Sequence, residues 1–342
     1  MRYELNNILQ SAAYYGFTGF DNLGDEAIWH ATKNKFKEIN LYPIKRTRFG
    51  FVNKLVSIKN KKIIMLGGGT LIGDNKPDGT NPFREQYSLF SKNARYRVAF
   101  GTGVGSIYGE NMPPLWLTQW KALLEKLDYI GVRGKESQKT LKVLGVGSEV
   151  IGDSACAWVY SKRRQVKSKV LGVNIGARRD LLPDDKIKSY SQFVASKYMT
   201  GWSIEFYILN PSDYQLTVDF SKSCGISNPN LFPIYNDTEK YLTKVSGTHC
   251  FIGTRLHSVI LAMCAGVPSI MIGYAPKAHD FMGSVGMECF NILMADLSTD
   301  KLNEVFENLL GDTVNISDEI LNNLLVFKEL QEIRAKQICA KV

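Results

Sequence analysis

The chain has 342 residues, enough for about two domains at roughly 150 residues each. Its 44% hydrophobic and 22% charged residues are ordinary globular composition, which excludes disorder, collagen and coiled coil as the description of the whole. Lys plus Arg number 42 against 33 Asp plus Glu, a net charge of +9 that favours phosphorylated small molecules, acidic membranes or nucleic acid without choosing among them.

The opening MRYELNNILQ carries Glu4 and no sustained apolar run, so no signal peptide is expected. Strands are predicted at residues 8–14, 62–66, 96–100, 129–132 and 149–151. A second series follows at 170–175, 203–209, 231–232, 249–252 and 268–272. Helical patterns lie between them, at 25–38, 115–127, 182–198, 213–223, 258–265 and 299–310. Apolar strands alternating with amphipathic helices predict an α/β fold with parallel sheets covered on both faces. The polar run SKRRQVKSK at 161–169 reads as a linker. It divides the chain into Rossmann-like domains at 1–163 and 168–312, with a helical segment at 313–342 that packs back on the first domain. The longest apolar stretch, 258–274, is shorter than the roughly 20 residues a membrane helix needs and is interrupted by Gly266 and Pro268. It reads as a helix, a turn and a buried strand. The six cysteines form no C-x-x-C pair and read as buried thiols in a reducing cytosol, not as a disulfide framework or a zinc site.

The usual nucleotide signatures are missing. Gly101-Thr102-Gly103-Val104-Gly105 approaches the dinucleotide fingerprint, but Ser106 stands where the third glycine belongs. Four other segments carry chemistry. YGFTGFDNLGDEAI, residues 15–28, is a glycine loop running into a helix, with Asn22 and Asp25 at its mouth and Asp25 at the predicted N-cap. LGGGTLIGD, residues 66–74, is a triple-glycine loop in which Gly68 and Gly69 admit a ligand to the main chain; the Pro-, Gly- and Asp-rich segment 75–84 after it reads as a loop over the cleft. Arg133 falls at a strand end, where a guanidinium fork suits phosphate or carboxylate. In GTRLHSVILAMCAGVPSIMIGYAPKAHDF, residues 253–281, Arg255 and His257 meet a helix N-terminus, and Lys277 and His279 follow the next strand. Positive charge, imidazole and helix dipole then converge on a small, multiply charged anion. His249 reads as structural, and His30 and His279 as surface residues.

Together these motifs, with GDSACAW at 152–158, resemble the polysaccharide pyruvyl transferase family over most of the chain. The most specific element is Arg-Leu-His followed about twenty residues later by lysine in a Tyr-x-Pro-Lys context. The resemblance implies two facing domains of GT-B type with the active site between them. It further implies phosphoenolpyruvate as donor, a saccharide acceptor, a cyclic pyruvate ketal as product, and phosphate release. It associates Arg133, Arg255, His257 and Lys277 with donor binding or catalysis; the three cations suit the donor's anionic groups, and His257 reads as the general acid/base, with phosphate binding as its alternative role. No cofactor or metal is expected, and no nucleic acid partner. Many members carry an acidic residue after the strand-end arginine; here it is Gly134. The expected location is the cytoplasm, with contact at the inner membrane face if the acceptor is lipid-linked. Two alternatives stand beside this reading: a GT-B nucleotide-sugar glycosyltransferase, and a basic glycan-binding protein without catalysis.

Overall fold

The computed structural model describes residues 11–44, 62–73, 81–91, 94–105, 114–162, 168–176 and 181–341. The first series of elements is β1 (Ser11–Tyr15), α1 (Leu23–Lys35), β2 (Asn40–Pro43), β3 (Ile63–Leu66), β4 (Gly69–Ile72) and α2 (Pro82–Ser91). It continues with β5 (Tyr96–Val104), α3 (Pro114–Leu124), β6 (Tyr129–Val132), α4 (Lys135–Val143) and β7 (Glu149–Val150). Every pairing is parallel, in the order β2-β1-β3-β5-β6-β7. β4 pairs with the far half of β5, beyond the part that β3 occupies.

The second series begins with β8 (Val170–Asn174), α5 (Asp184–Met199), β9 (Ser203–Ile208), α6 (Tyr214–Ser223), β10 (Asn230–Pro233) and α7 (Thr238–Val245). It continues with β11 (Cys250–Gly253), α8 (Leu256–Cys264), β12 (Ser269–Gly273), α9 (Pro276–Ser284), β13 (Asn291–Leu293) and α10 (Thr299–Gly311). The last element is α11 (Thr313–Cys339). The sheet order β10-β9-β8-β11-β12-β13, all parallel, is the doubly wound Rossmann order. The predicted α/β class with two Rossmann-like sheets is the fold observed. The central strands β3, β8, β11 and β12 are buried along their whole length, as helices on both faces require.

Three strands escape the hydropathy pattern. β2 and β13 are short edge strands. β4 lies inside the triple-glycine segment, which is a strand and not the expected loop. Gly101 to Val104 likewise continue β5 and form no phosphate-binding turn. In the segment read as a loop over the cleft, residues 74–80 lie outside the described residues, and α2 begins at Pro82. Residues 163–167 of the basic run and residues 1–10 also lie outside them.

Stretch 258–274 is a helix, a turn and a strand, as its pattern predicts. α8 is buried from Ser258 to Cys264, apolar on every side because it packs between the second sheet, α11 and the 3-10 turn Ser154–Trp158. Among the described residues no helix is long and apolar enough to cross a membrane.

α11 touches both sheets' domains. Ser317 Oγ donates to the Gly266 carbonyl beyond α8 at 2.6 Å. Farther along, buried Gln331 donates through Nε2 to the carbonyls of Ile151 (2.8 Å) and Asp153 (2.9 Å), and Arg334 forks onto Glu149. Gln331→Leu takes a buried donor from both carbonyls and leaves that of Asp153 with the Cys156 amide alone. It is expected to lower unfolding free energy by about 2 kcal/mol, read as a lower urea midpoint at unchanged slope.

Candidate active site in the cleft between the two sheets

Parallel strands all point their carboxyl ends the same way, so the loops that follow them share one edge. The two sheets present such edges to one another across a cleft of about 520 Å³. From the first domain it is lined by Phe17, Phe20, Asn22 and Asp25 after β1, Gly69 and Thr70 at β4, and Arg133 after β6. From the second come Leu209 and Asn210 after β9, Arg255, Leu256 and His257 after β11, and Tyr274 and Lys277 after β12. Of the site residues expected from the sequence, Asn22, Asp25, Gly69, Arg133, Arg255, His257 and Lys277 line this cleft and Gly68 does not.

Gly68 is buried beneath it. A side chain there would run into Ile28 of α1, and one at Gly67 into the Tyr14 ring. Close packing, against a neighbouring strand at Gly67 and against α1 at Gly68, therefore accounts for two of the three glycines. Gly69, at φ +87°, is the one that faces the cleft. Asp25 is not the N-cap of α1. Asn22 fills that position in extended backbone and accepts from the Gly24 amide at 3.3 Å, because the helix begins two residues earlier than its apolar pattern. Asp25 sits in the first turn instead, where Asn22 Nδ2 donates to its Oδ2 at 2.6 Å. Burial pushes the Asp25 carboxyl up to about 6, against the opposing pull of His257, Lys277 and Arg255.

α8 starts at Leu256, two residues before the predicted start, with Arg255 as its N-cap. Buried Asn174 at the end of β8 fixes this turn by accepting from the Arg255 amide (3.0 Å) and the Ser258 hydroxyl (3.1 Å). His257 faces the glycine loop so closely that any side chain at Gly24 would enter its ring.

Two buried carboxylates that the sequence did not single out as site residues organise the cations. Asp153 caps the 3-10 turn Ser154–Trp158 through Oδ1, which accepts from the Ala155 amide at 2.9 Å. Its Oδ2 lies 3.5 Å from Arg133 Nε and 3.6 Å from His257 Nε2. Arg133 and Asp153 are 1% and 0% exposed, and all three of these atoms lack a hydrogen bond. Burial alone would raise the Asp153 carboxyl; His257 and Arg133 outweigh it and hold the group below the usual carboxylate range. Arg133 Nη2 also donates to Thr70 Oγ1 at 2.9 Å. Asp213, buried after β9, takes the Arg255 guanidinium in a two-pronged pair, Nη2 to Oδ1 at 2.6 Å and Nε to Oδ2. Two of the three cations are thus matched by carboxylates, and the surplus of positive charge is smaller than the sequence implied.

Lys277 follows Pro276, which starts α9. Its ammonium donates to Tyr274 Oη at 3.1 Å. Burial would raise the Tyr274 phenol, yet Lys277 and Arg255 bring it below its ordinary value. The cleft therefore holds a carboxylic acid protonated to higher pH than usual and a phenol that ionises more readily than usual.

A family model described as polysaccharide pyruvyl transferase matches residues 22–276, from the N-cap of α1 to the start of α9. The UDP-N-acetylglucosamine–N-acetylmuramyl-(pentapeptide) pyrophosphoryl-undecaprenol N-acetylglucosamine transferase of Caldicellulosiruptor saccharolyticus is 30% identical over 126 residues, 34% of this chain and 34% of its own length. The chain thus matches about a third of that relative's length. Among solved structures, the S. aureus MnaA–UDP complex superposes with TM-score 0.60 at 9% identity, covering 91% of this chain and 90% of that one. The wall teichoic acid polymerase TagF gives 0.53 at 10% identity, covering 97% and 89%. Those two likenesses establish the shared GT-B-like fold.

Because the folded-state value of Asp25 lies above its ordinary 3.8, the protonated form favours folding, and that contribution fades as pH rises through about 6. Asp25→Asn should therefore leave the melting temperature near wild type at pH 4 and raise it at pH 8. Differential scanning calorimetry across this range is the check.

Proposed function

The chain belongs to the polysaccharide pyruvyl transferase family, and from that premise we propose that it moves a pyruvyl group from phosphoenolpyruvate onto two hydroxyls of a saccharide. The observation that carries the reading is the convergence of Arg133, Asp153 and His257 at the wall of a cleft that also presents Lys277 and the start of α8. The donor has a phosphate, a carboxylate and an enol double bond. Arg133, Lys277 and the helix N-terminus supply positive groups for its two anionic ends, while Arg255, fixed by Asp213, holds the α8 turn in place and adds its field.

A proton must reach the methylene carbon, which leaves the central carbon electrophilic. The first sugar hydroxyl adds there and gives up its proton, restoring the acid that acted first. The bond from the central carbon to the bridging oxygen breaks and phosphate leaves. The second hydroxyl closes the ketal, and its proton departs with phosphate. One hydroxyl proton thus ends on the new methyl group and the other on phosphate. His257 is the proton carrier in this scheme, oriented by Asp153 as imidazoles are by a partner carboxylate. Asp25 and Tyr274 are the groups placed to take part in the hydroxyl transfers. Asn22 orients Asp25, and Gly69 gives the acceptor access to the main chain.

The +9 charge supports an acceptor carrying anionic phosphate, and the relative named for an undecaprenol-linked substrate supports a lipid-linked one. Such an acceptor would bring the protein to the inner membrane face. A GT-B glycosyltransferase would instead release nucleotide.

The test is incubation with phosphoenolpyruvate and a panel of saccharides, followed by mass spectrometry and phosphate assay. A gain of one pyruvate less one water, with one phosphate released, is expected; nucleotide release from a sugar nucleotide without phosphoenolpyruvate turnover would reject the reading. His257→Ala should slow phosphate release by about 100- to 10,000-fold.

A further inference from the structure

The N-terminus of α4, directly after Arg133, is capped by the other domain. Its N-cap, Gly134, has no side chain to offer. Asp280, one turn after Lys277 on α9, supplies the missing acceptor. Its Oδ1 takes the amides of Glu136 (3.0 Å) and Ser137 (3.1 Å), and its Oδ2 takes the Ser137 hydroxyl at 2.6 Å. Ser284, the last residue of α9, accepts from the Lys135 amide at 3.1 Å and donates to the Asp280 carbonyl at 2.6 Å. The orphan amides of the first turn of α4 are therefore satisfied from the other domain, Lys135 by the Ser284 hydroxyl and the next two by a carboxylate that is 4% exposed. Ser137 Oγ in turn accepts from the Val104 amide at 2.9 Å, tying in the end of β5.

The contact is shaped for glycine. Any Cβ at position 134 would run into both the Asp280 carboxylate and its carbonyl oxygen. An ordinary Asp or Ser cap would hold α4 from within its own domain; here glycine yields that place to a residue from the second.

We propose that Asp280 is a positioning residue: by capping α4 in trans it locks α9 against α4 and sets the separation between Lys277 and Arg133 across the cleft. The latch stands on the hydrogen bonds alone; its effect on the donor rests on the functional reading above. Asp280 touches neither cation and acts through the two elements that carry them.

Two measurements separate the claims. In unliganded protein, Asp280→Ala and the same-sized Asp280→Asn should both speed hydrogen exchange in residues 96–105 and 134–143, Asn less than Ala, while the β8–β12 core keeps its protection. Unchanged exchange in 134–143 would overturn the latch, whatever the protein catalyses. With substrate, Asp280→Ala should raise KM for phosphoenolpyruvate about tenfold and keep kcat within about threefold, because a smaller fraction of the molecules is in the competent arrangement. Faster exchange with an unchanged KM would leave a structural cap only and overturn the positioning role.

Gly134→Ala breaks the same contact from the other side. The double variant should be no worse than the worse single one in melting temperature and in KM; additive losses would overturn the proposal. If the wild-type protein fails to turn over phosphoenolpyruvate, the functional reading falls, and exchange and melting temperature still decide the latch.

Discussion

The cleft depends on one buried negative charge. Asp153 is removed from water in a place where an isolated carboxylate would take up a proton instead of staying ionised. It stays charged because Arg133 from one domain and His257 from the other flank the same oxygen. The sign of the coupling follows. A carboxyl held below its unfolded value contributes stability above the ordinary carboxylate range, and that contribution is lost as pH falls through the depressed value. The same carboxylate that faces the His257 imidazole from one lobe also faces the Arg133 guanidinium of the other, so the geometry of the cleft and the contact between the lobes share a single electrostatic origin.

The sheets explain why the partners can meet. In each, the chain reverses winding beside its first strand: β1 lies between β2 and β3, and β8 between β9 and β11. Such switch points open a crevice at the carboxyl edge. Here two crevices face each other, one holding Asn22 and Asp25, the other the Asn174–Arg255 turn. Neither half alone carries both the acid groups and the cation set. Asp213 adds a further tie, fixing the Arg255 guanidinium from the loop after β9.

Most of this arrangement was legible in the sequence where a residue announces itself by type and place. Arg133, Arg255, His257 and Lys277 are polar groups at the ends of apolar runs, and strand ends of a parallel sheet are where ligands bind. Alternating apolar runs likewise gave the α/β class and the main strands. The failures are equally physical. Glycine has two uses, and from sequence the packing of Gly67 and Gly68 against Tyr14 and Ile28 cannot be told from an opening for a ligand. Asp153, Asp213 and Asp280 were missed because an Asp before a short helix reads as a cap and an Asp in an amphipathic helix as surface. The roles of Asp153 and Asp280 appear only when the other domain is in place, and that of Asp213 only when the loops after β9 and β11 are brought together. Asp153 alone left a trace, as the carboxylate heading the SACAW turn.

The last helix carries a consequence for how the protein is made. Gln331 and Arg334 complete the hydrogen bonding of residues 149–153, and Ser317 completes the turn after α8. Domains generally fold as they leave the ribosome, N-terminal first. This one cannot finish in that order: the carbonyls of Ile151 and Asp153, just after the final strand of the first sheet, wait for Gln331, about 180 residues further on. During translation the nascent chain is thus a half-closed body whose apolar α8 face has no cover, and a ribosome stalled before residue 313 would expose it to chaperones and proteases.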